Sequence, residues 1–235
     1  MANELPEDTS KIESLTPEQA RKLAAEFPGV EVEIEFKGYG KQKVRACLPM
    51  NGLKSLDAET AKALAGYGKG PLVLDGLTTF EADTAKALAE FKGWGLYLNG
   101  LTSLDAATAK ELAGFKGAVL VLGSLTTLDA EAAKALAAAD RWDGLLPSLT
   151  ALDSPDSVAI AQALATRKGA LKLRNLKKIS PKTLTALIQK KDVEIPLIET
   201  LELIQEPDGS ATDDFVIPEW LEDRQKQKSG VQAAK

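Results

Sequence analysis

Three stretches of this chain can be laid on one another at a spacing of 24 residues. Leu72-Val-Leu-Asp-Gly-Leu77-Thr-Thr-Phe80, Leu96-Tyr-Leu-Asn-Gly-Leu101-Thr-Ser-Leu104 and Leu120-Val-Leu-Gly-Ser-Leu125-Thr-Thr-Leu128 carry apolar residues at the same places. A fixed period of this length constrains the fold more than composition does. One unit is too small to bury its own apolar side, so units must stack and share a continuous core. The 235 residues then read as one elongated array with two ends, not as two separate globules.

The key positions follow the form L-x-L-x-x-L-x-x-L. They are Leu48, Met50, Leu53 and Leu56 in the first unit, and Leu72, Leu74, Leu77 and Phe80 in the second. Leu96, Leu98, Leu101 and Leu104 follow, then Leu120, Leu122, Leu125 and Leu128. A degenerate fifth unit has Gly144, Leu146, Leu149 and Leu152, a sixth has Leu171, Leu173, Leu176 and Ile179, and a weak seventh has Val193, Ile195, Ile198 and Leu201. The L-x-L half alternates as a short strand does. Asp57, Asp105, Asp129 and Ser180 then stand as N-caps before Ala-rich sequence of helical period, predicting a helix of about ten residues in each unit. Lys-Gly at 69–70, 92–93, 116–117 and 168–169 is expected to close each helix, with glycine in a left-handed C-cap. Lys62, Lys86, Lys110 and Lys134 recur on the helices as a solvated rim, and Tyr67, Phe91 and Phe115 recur as a stacked core column.

Parallel strands stack about 4.8 Å apart, whereas helices need about 10 Å each. One helix per strand therefore forces a bend with the strands inside. The expected class is α/β: an arc with a parallel sheet on its concave face and short α-helices on its convex face. The L-x-L-x-x-L motif, and its fuller form L-x-L-x-G-L-T-x-L-D-x-x-x-A-K-A-L-A-x-F-K-G, resembles the leucine-rich repeat, in particular short 23–24-residue repeat arrays found in bacterial proteins. The resemblance covers about residues 46–201 and implies a solenoid. One departure is clear. Leu53, Leu77, Leu101, Leu125 and Leu176 stand where the usual repeat has Asn or Cys, so its buried asparagine ladder is missing. Thr78, Thr102, Thr126 and Thr150 are the candidates to bond neighbouring loops instead.

The two ends differ from the array. Residues 1–14 are polar and expected to be loosely held. Thr16-Pro17-Glu18-Gln19 is a capping box with proline at the first helical position, and the helix it starts should stop at Pro28-Gly29. Val30-Glu-Val-Glu-Ile-Glu-Phe36 alternates as a half-buried strand, and Val44 to Met50 is its returning partner. Residues 15–45 are read as an N-terminal cap, 46–201 as the array, and 202–235 as an acidic tail. Phe215, Ile217 and Trp220 are expected to cover the open apolar end of the last units.

Several function classes are excluded by composition. There is no histidine, which removes histidine bases, histidine metal ligands and the Ser-His-Asp and Cys-His arrangements. Cys47 is the single cysteine and is expected to be a small buried hydrophobe. Neither Gly38-Tyr-Gly-Lys41 nor Gly66-Tyr-Gly-Lys-Gly70 has phosphate-loop spacing. No catalytic residue, metal ligand or cofactor is assigned, and the chain is expected to be cytoplasmic, with no leader and no membrane span. A net charge of −5 does not favour general nucleic-acid binding.

What remains is recognition, with a protein or peptide as partner. The residues between the L-x-L leucines should face the concave side: Pro49, Val73, Tyr97, Val121 and Leu145 in one column, and Asn51, Asp75 and Asn99 in the next. Exposed together, the first column would form a contiguous apolar patch suited to contact. Replacing Tyr97 is accordingly expected to impair binding at little cost in stability. A rival reading is an adaptor for nucleic acid or another acidic partner. It rests on Arg167, Lys168, Lys172, Arg174, Lys177 and Lys178, in a run from 167 to 191 that holds no acid.

Overall fold

Pairing between units follows the sequence period residue for residue. In a computed structural model, which describes residues 8–36, 40–210, 217–223 and 225–226, strands β2 (Gly40–Pro49), β3 (Leu72–Val73), β4 (Gly95–Tyr97) and β5 (Val119–Val121) lie side by side in parallel. Leu48 pairs with Leu72, Leu72 with Leu96, and Leu96 with Leu120. Met50 N donates to Val73 O at 2.8 Å, Leu74 N to Tyr97 O at 2.9 Å and Leu98 N to Val121 O at 3.1 Å. Strand β1 (Val30–Phe36) adds to the outer side of β2 as an antiparallel hairpin. The fold is α/β, with strands and helices alternating along the array.

From β2 to β5 each strand is followed by a short helix. After α1 (Pro17–Glu26) come α2 (Ala58–Leu64), α3 (Ala82–Ala89), α4 (Ala106–Ala113), α5 (Ala130–Ala138), α6 (Ser157–Ala165) and α7 (Pro181–Ile188), each packed against the next in chain order. The capping box at Thr16 and Gln19 forms as expected. Asp57, Asp105, Asp129 and Ser180 all accept the backbone N–H three residues on. The leucines of the strands and the inner faces of the helices share one core with Tyr67, Phe91 and Phe115, of which the last two rings stack at 6.4 Å. Lys62, Lys86, Lys110 and Lys134 are exposed.

The helix ends differ from expectation. The repeat helices stop after seven to nine residues, several residues before each Lys-Gly, and none of Gly70, Gly93, Gly117 and Gly169 has a positive φ. Gly70, Gly93 and Gly117 serve close approach instead. A Cβ on Gly93 would lie 2.6 Å from Gly70 O, and one on Gly117 would lie 2.6 Å from Gly93 O, so a side chain would force successive turns apart.

The fifth unit breaks the main ladder. Only isolated bridges, Leu120 to Trp142 and Leu145 to Lys172, carry it across, before β7 (Leu171–Lys172) pairs with β9 (Val193–Glu194). A second parallel sheet compensates on another side: β6 (Ala151–Leu152), β8 (Lys178–Ile179) and β10 (Glu202–Leu203), with β8 in the middle.

At the two ends, order extends further than the polar sequence implies. Thr9, within a 3-10 turn at Thr9–Lys11, is buried and donates its hydroxyl to Pro49 O at 2.6 Å. Ile217 and Trp220 pack on the core and Leu221 is buried, as the expected cover requires; Phe215 lies outside the described residues.

Candidate functional site

Two columns run along the strand face opposite the helices. The first comprises the residues between the leucines, and its expected exposure is not found. Val73, Tyr97, Val121 and Leu145 are at most 6% exposed and Pro49 is buried. Val73, Tyr97 and Val121 do stand apart from the helix-side core, in a second apolar cluster with Cys47. The inside-outside alternation is therefore right, and what differs is that something covers the outside. That cover includes Val32 of β1 and Val44 of β2, which face each other across the hairpin and pack on this cluster with Val119. The apolar stripe of the hairpin and the apolar stripe of the sheet each need a partner, and each supplies the other's.

Burial sets the chemistry of this column. It pushes the Cys47 thiol up to about 11, which leaves it protonated and unreactive at neutral pH, as the reading of a small buried hydrophobe requires. The Tyr97 phenol is likewise raised by burial. Because Tyr97 is fully buried, truncating it would cost stability heavily, contrary to the sequence expectation.

The second column is polar and reaches water. Asn51 is exposed, and Asp75 and Asn99 are half-buried. The Asn99 backbone N–H donates to Asp75 Oδ1 at 2.8 Å and its side chain donates to Asp75 Oδ2 at 3.3 Å. Gly123 N then donates to Asn99 Oδ1 at 3.0 Å, and Ser148 Oγ to Gly123 O at 2.8 Å. This is a ladder of side-chain bonds between successive units, two residues before Leu77, Leu101 and Leu125. The threonines contribute one comparable side-chain bond, from Thr126 Oγ1 to Thr102 O at 3.1 Å. The polar strip ends at Arg174, whose guanidinium meets Glu194 at 2.8 Å.

Asp143, which sequence reasoning passed over, lies on this side beside Lys172. It is half-buried, accepts from Leu145 N at 3.0 Å and has its carboxyl pushed up to about 6, chiefly by burial and against the pull of Arg167 and Lys172. No motif marks it; the only sequence signal is its place in the degenerate unit, before Gly144.

The basic run is divided between the interior and the surface. Arg167 is buried, its guanidinium 4.8 Å from the centre of the Trp142 ring, donating to the carbonyls of Ala139, Trp142 and Ala170. It plugs the gap where the main ladder fails. Lys190 is also buried, bonded to Arg167 O and to Asp192. Arg174 pairs with Glu194 and Lys178 with Glu202. The run contains no acid, but the following unit supplies three. Lys168 and Lys177 are exposed and Lys172 is half-buried.

Among the described residues, no group of three Cys, Asp or Glu side chains is placed to hold a metal ion, and no helix is long and apolar enough to cross a membrane. No family model, no curated protein and no solved structure matches this chain.

Proposed function

We propose that the chain is a leucine-rich-repeat solenoid with its strands on the concave side, serving as a non-enzymatic binding module for a protein or peptide. The parallel register in steps of 24 residues and the succession of packed helices support the repeat reading. The observation that carries the binding role is the polar strip Asn51, Asp75, Asn99 and Arg174 with Glu194, left open beside the hairpin-covered column. Asp75 and Asn99 are bonded to each other, Asn99 to Gly123 N, and Arg174 to Glu194, so a partner that bonds to these four side chains orders little at the protein's expense. The adaptor reading for an acidic polymer has less support, since Arg167 is internal and Arg174 and Lys178 are paired with Glu194 and Glu202, which leaves Lys168, Lys172 and Lys177 to carry it.

The test is a comparative capture. Wild type and an Asn99→Arg/Arg174→Glu variant with unchanged helical circular dichroism are immobilised and exposed to lysate of the native cell. A protein retained by the wild type and released by the variant is the expected result. Equal retention by both would show that the strip is not the contact surface.

A further inference from the structure

The β1–β2 hairpin differs from the rest of the array in how it is attached. It leaves the body at two facing points, Gly29 and Ala46. Gly29 has φ 82° and Ala46 has φ 56°, the latter a left-handed conformation that an alanine adopts under strain. The two backbones touch so closely that a Cβ on Gly29 would lie 2.6 Å from Ala46. Just beyond them the register slips between Val30 and Val32. At and beyond that slip the hairpin's charged side chains bond to one another: Glu31 to Lys43 and Arg45, and Glu33 to Lys41. Against the body it sets the half-buried pair Val32 and Val44 on the cluster of Cys47, Val73, Tyr97 and Val121. The hairpin is thus cross-linked internally, bonded to the strand face through apolar contact, and joined to the body through a strained, narrow root.

We infer that this hairpin is a hinged cover that occupies the apolar strand face in place of a partner and opens about Gly29 and Ala46. The inference rests on the reading of the strand face as the binding side. The kind of partner follows from what sits there now: an extended segment with β-branched apolar residues at alternate positions and charges between them. Such a segment would repeat the contacts of Val32 and Val44. The polar strip lies alongside and would fix its direction. Among the described residues, opening releases the Val32 and Val44 contacts, the Val30–Cys47 pairing and the thiol bond from Cys47 to Val44 O, but none of the parallel pairs between repeat units, so it is a local event that precedes loss of the array.

Cys47 reports on opening because it sits at the hairpin's root, its thiol donating to Val44 O at 3.4 Å. The full chain is treated with a thiol-reactive dye across a urea series, while helical circular dichroism follows the array. Labelling in wild type is expected to proceed, with a shallow urea dependence, well below the helical transition. In Val32→Asp it should be at least about tenfold faster, the loss of roughly one half-buried valine contact, with the helical midpoint little changed. Labelling that tracks the helical transition in wild type would overturn the cover, whether or not the variant folds, and would leave the polar-strip reading standing. A synthetic peptide of residues 29–46, which contains no cysteine, should slow labelling of Val32→Asp. No slowing at millimolar peptide would show that the bared face accepts no strand, and would overturn the partner assignment.

Discussion

Asp143 is the residue where local surroundings and pH meet. Its carboxyl moves from 3.8 to about 6 because burial penalises the charge more than Arg167 and Lys172 favour it. The folded chain therefore holds a proton, between about pH 4 and pH 6, that the unfolded chain has released. Stability contributed by this group is present at the acid side of that window and falls as pH rises through it. A carboxyl displaced this far carries up to ~3 kcal/mol, and access to water cuts this to roughly 1–2 kcal/mol. Asp143→Asn keeps the acceptor for Leu145 N and removes the charge. Urea titrations should show the variant more stable than wild type by that amount at pH 7.5, with the difference vanishing near pH 4. A difference that is constant with pH would mean that the carboxyl does not titrate in this window. Asp143 was invisible in the sequence because its effect comes from a long-range neighbourhood, the packing of Arg167 across Trp142, that no local pattern encodes. Tyr97 failed for the same reason. Its place opposite the leucines followed from alternation, but its burial depended on Val32 and Val44, residues more than 50 positions away.

At the level of elements, local chemistry was the most readable. Each hydroxyl or aspartate expected as an N-cap is one, because the bond from side chain to the N–H three residues on involves nothing beyond a single turn. The unit with glutamate at this position provides an internal control. Asp105 accepts from Thr108 N at 2.9 Å and from Thr108 Oγ1 at 2.7 Å, and these bonds hold its carboxyl below the usual range. Glu81, at the same place before α3, makes no cap bond, since its extra methylene carries the carboxylate past the N–H groups. Asp105→Ala should cost about 1 kcal/mol, whereas Glu81→Ala should change stability by no more than a few tenths. Glu81→Asp should gain part of what Asp105→Ala loses. Chemical denaturation of the three variants decides this; equal losses at 81 and 105 would show that helix-end charge, not the cap bond, is what matters. Helix ends were less legible than starts. Lys-Gly suggests a stop because glycine suits a left-handed cap, but Tyr67, Phe91 and Phe115 intervene and turn inward. The glycine then answers a need for contact between turns that only the assembled units reveal.

Across the whole molecule, energy is shared between neighbours, so the ends carry a particular burden. An inner unit buries apolar surface on both sides, while the last has one side to cover. Here that side is met by Ile217, Trp220 and Leu221. Gln225 adds polar closure, its Oε1 accepting from Ile198 N at 3.0 Å and its Nε2 donating to Pro196 O at 3.1 Å. Glu206 is buried before them and accepts Lys182 N at 2.9 Å, satisfying a donor in the first turn of α7. Removing residues 205–235 strips all three contributions at once. The last unit, with Val193, Ile195 and Leu201, would then present its core to water, and its loss would expose α7 in turn. The expected result is a thermal midpoint lower by several degrees, with fraying confined to the end. Amides of β9 and β10 should lose exchange protection while those of β3, β4 and β5 keep it. An unchanged midpoint would show that the tail rests on the array without stabilising it. A uniform loss of protection from β3 to β10 would show that the units unfold as a single cooperative block, in which case nearest-neighbour contacts are not how this chain divides its stability.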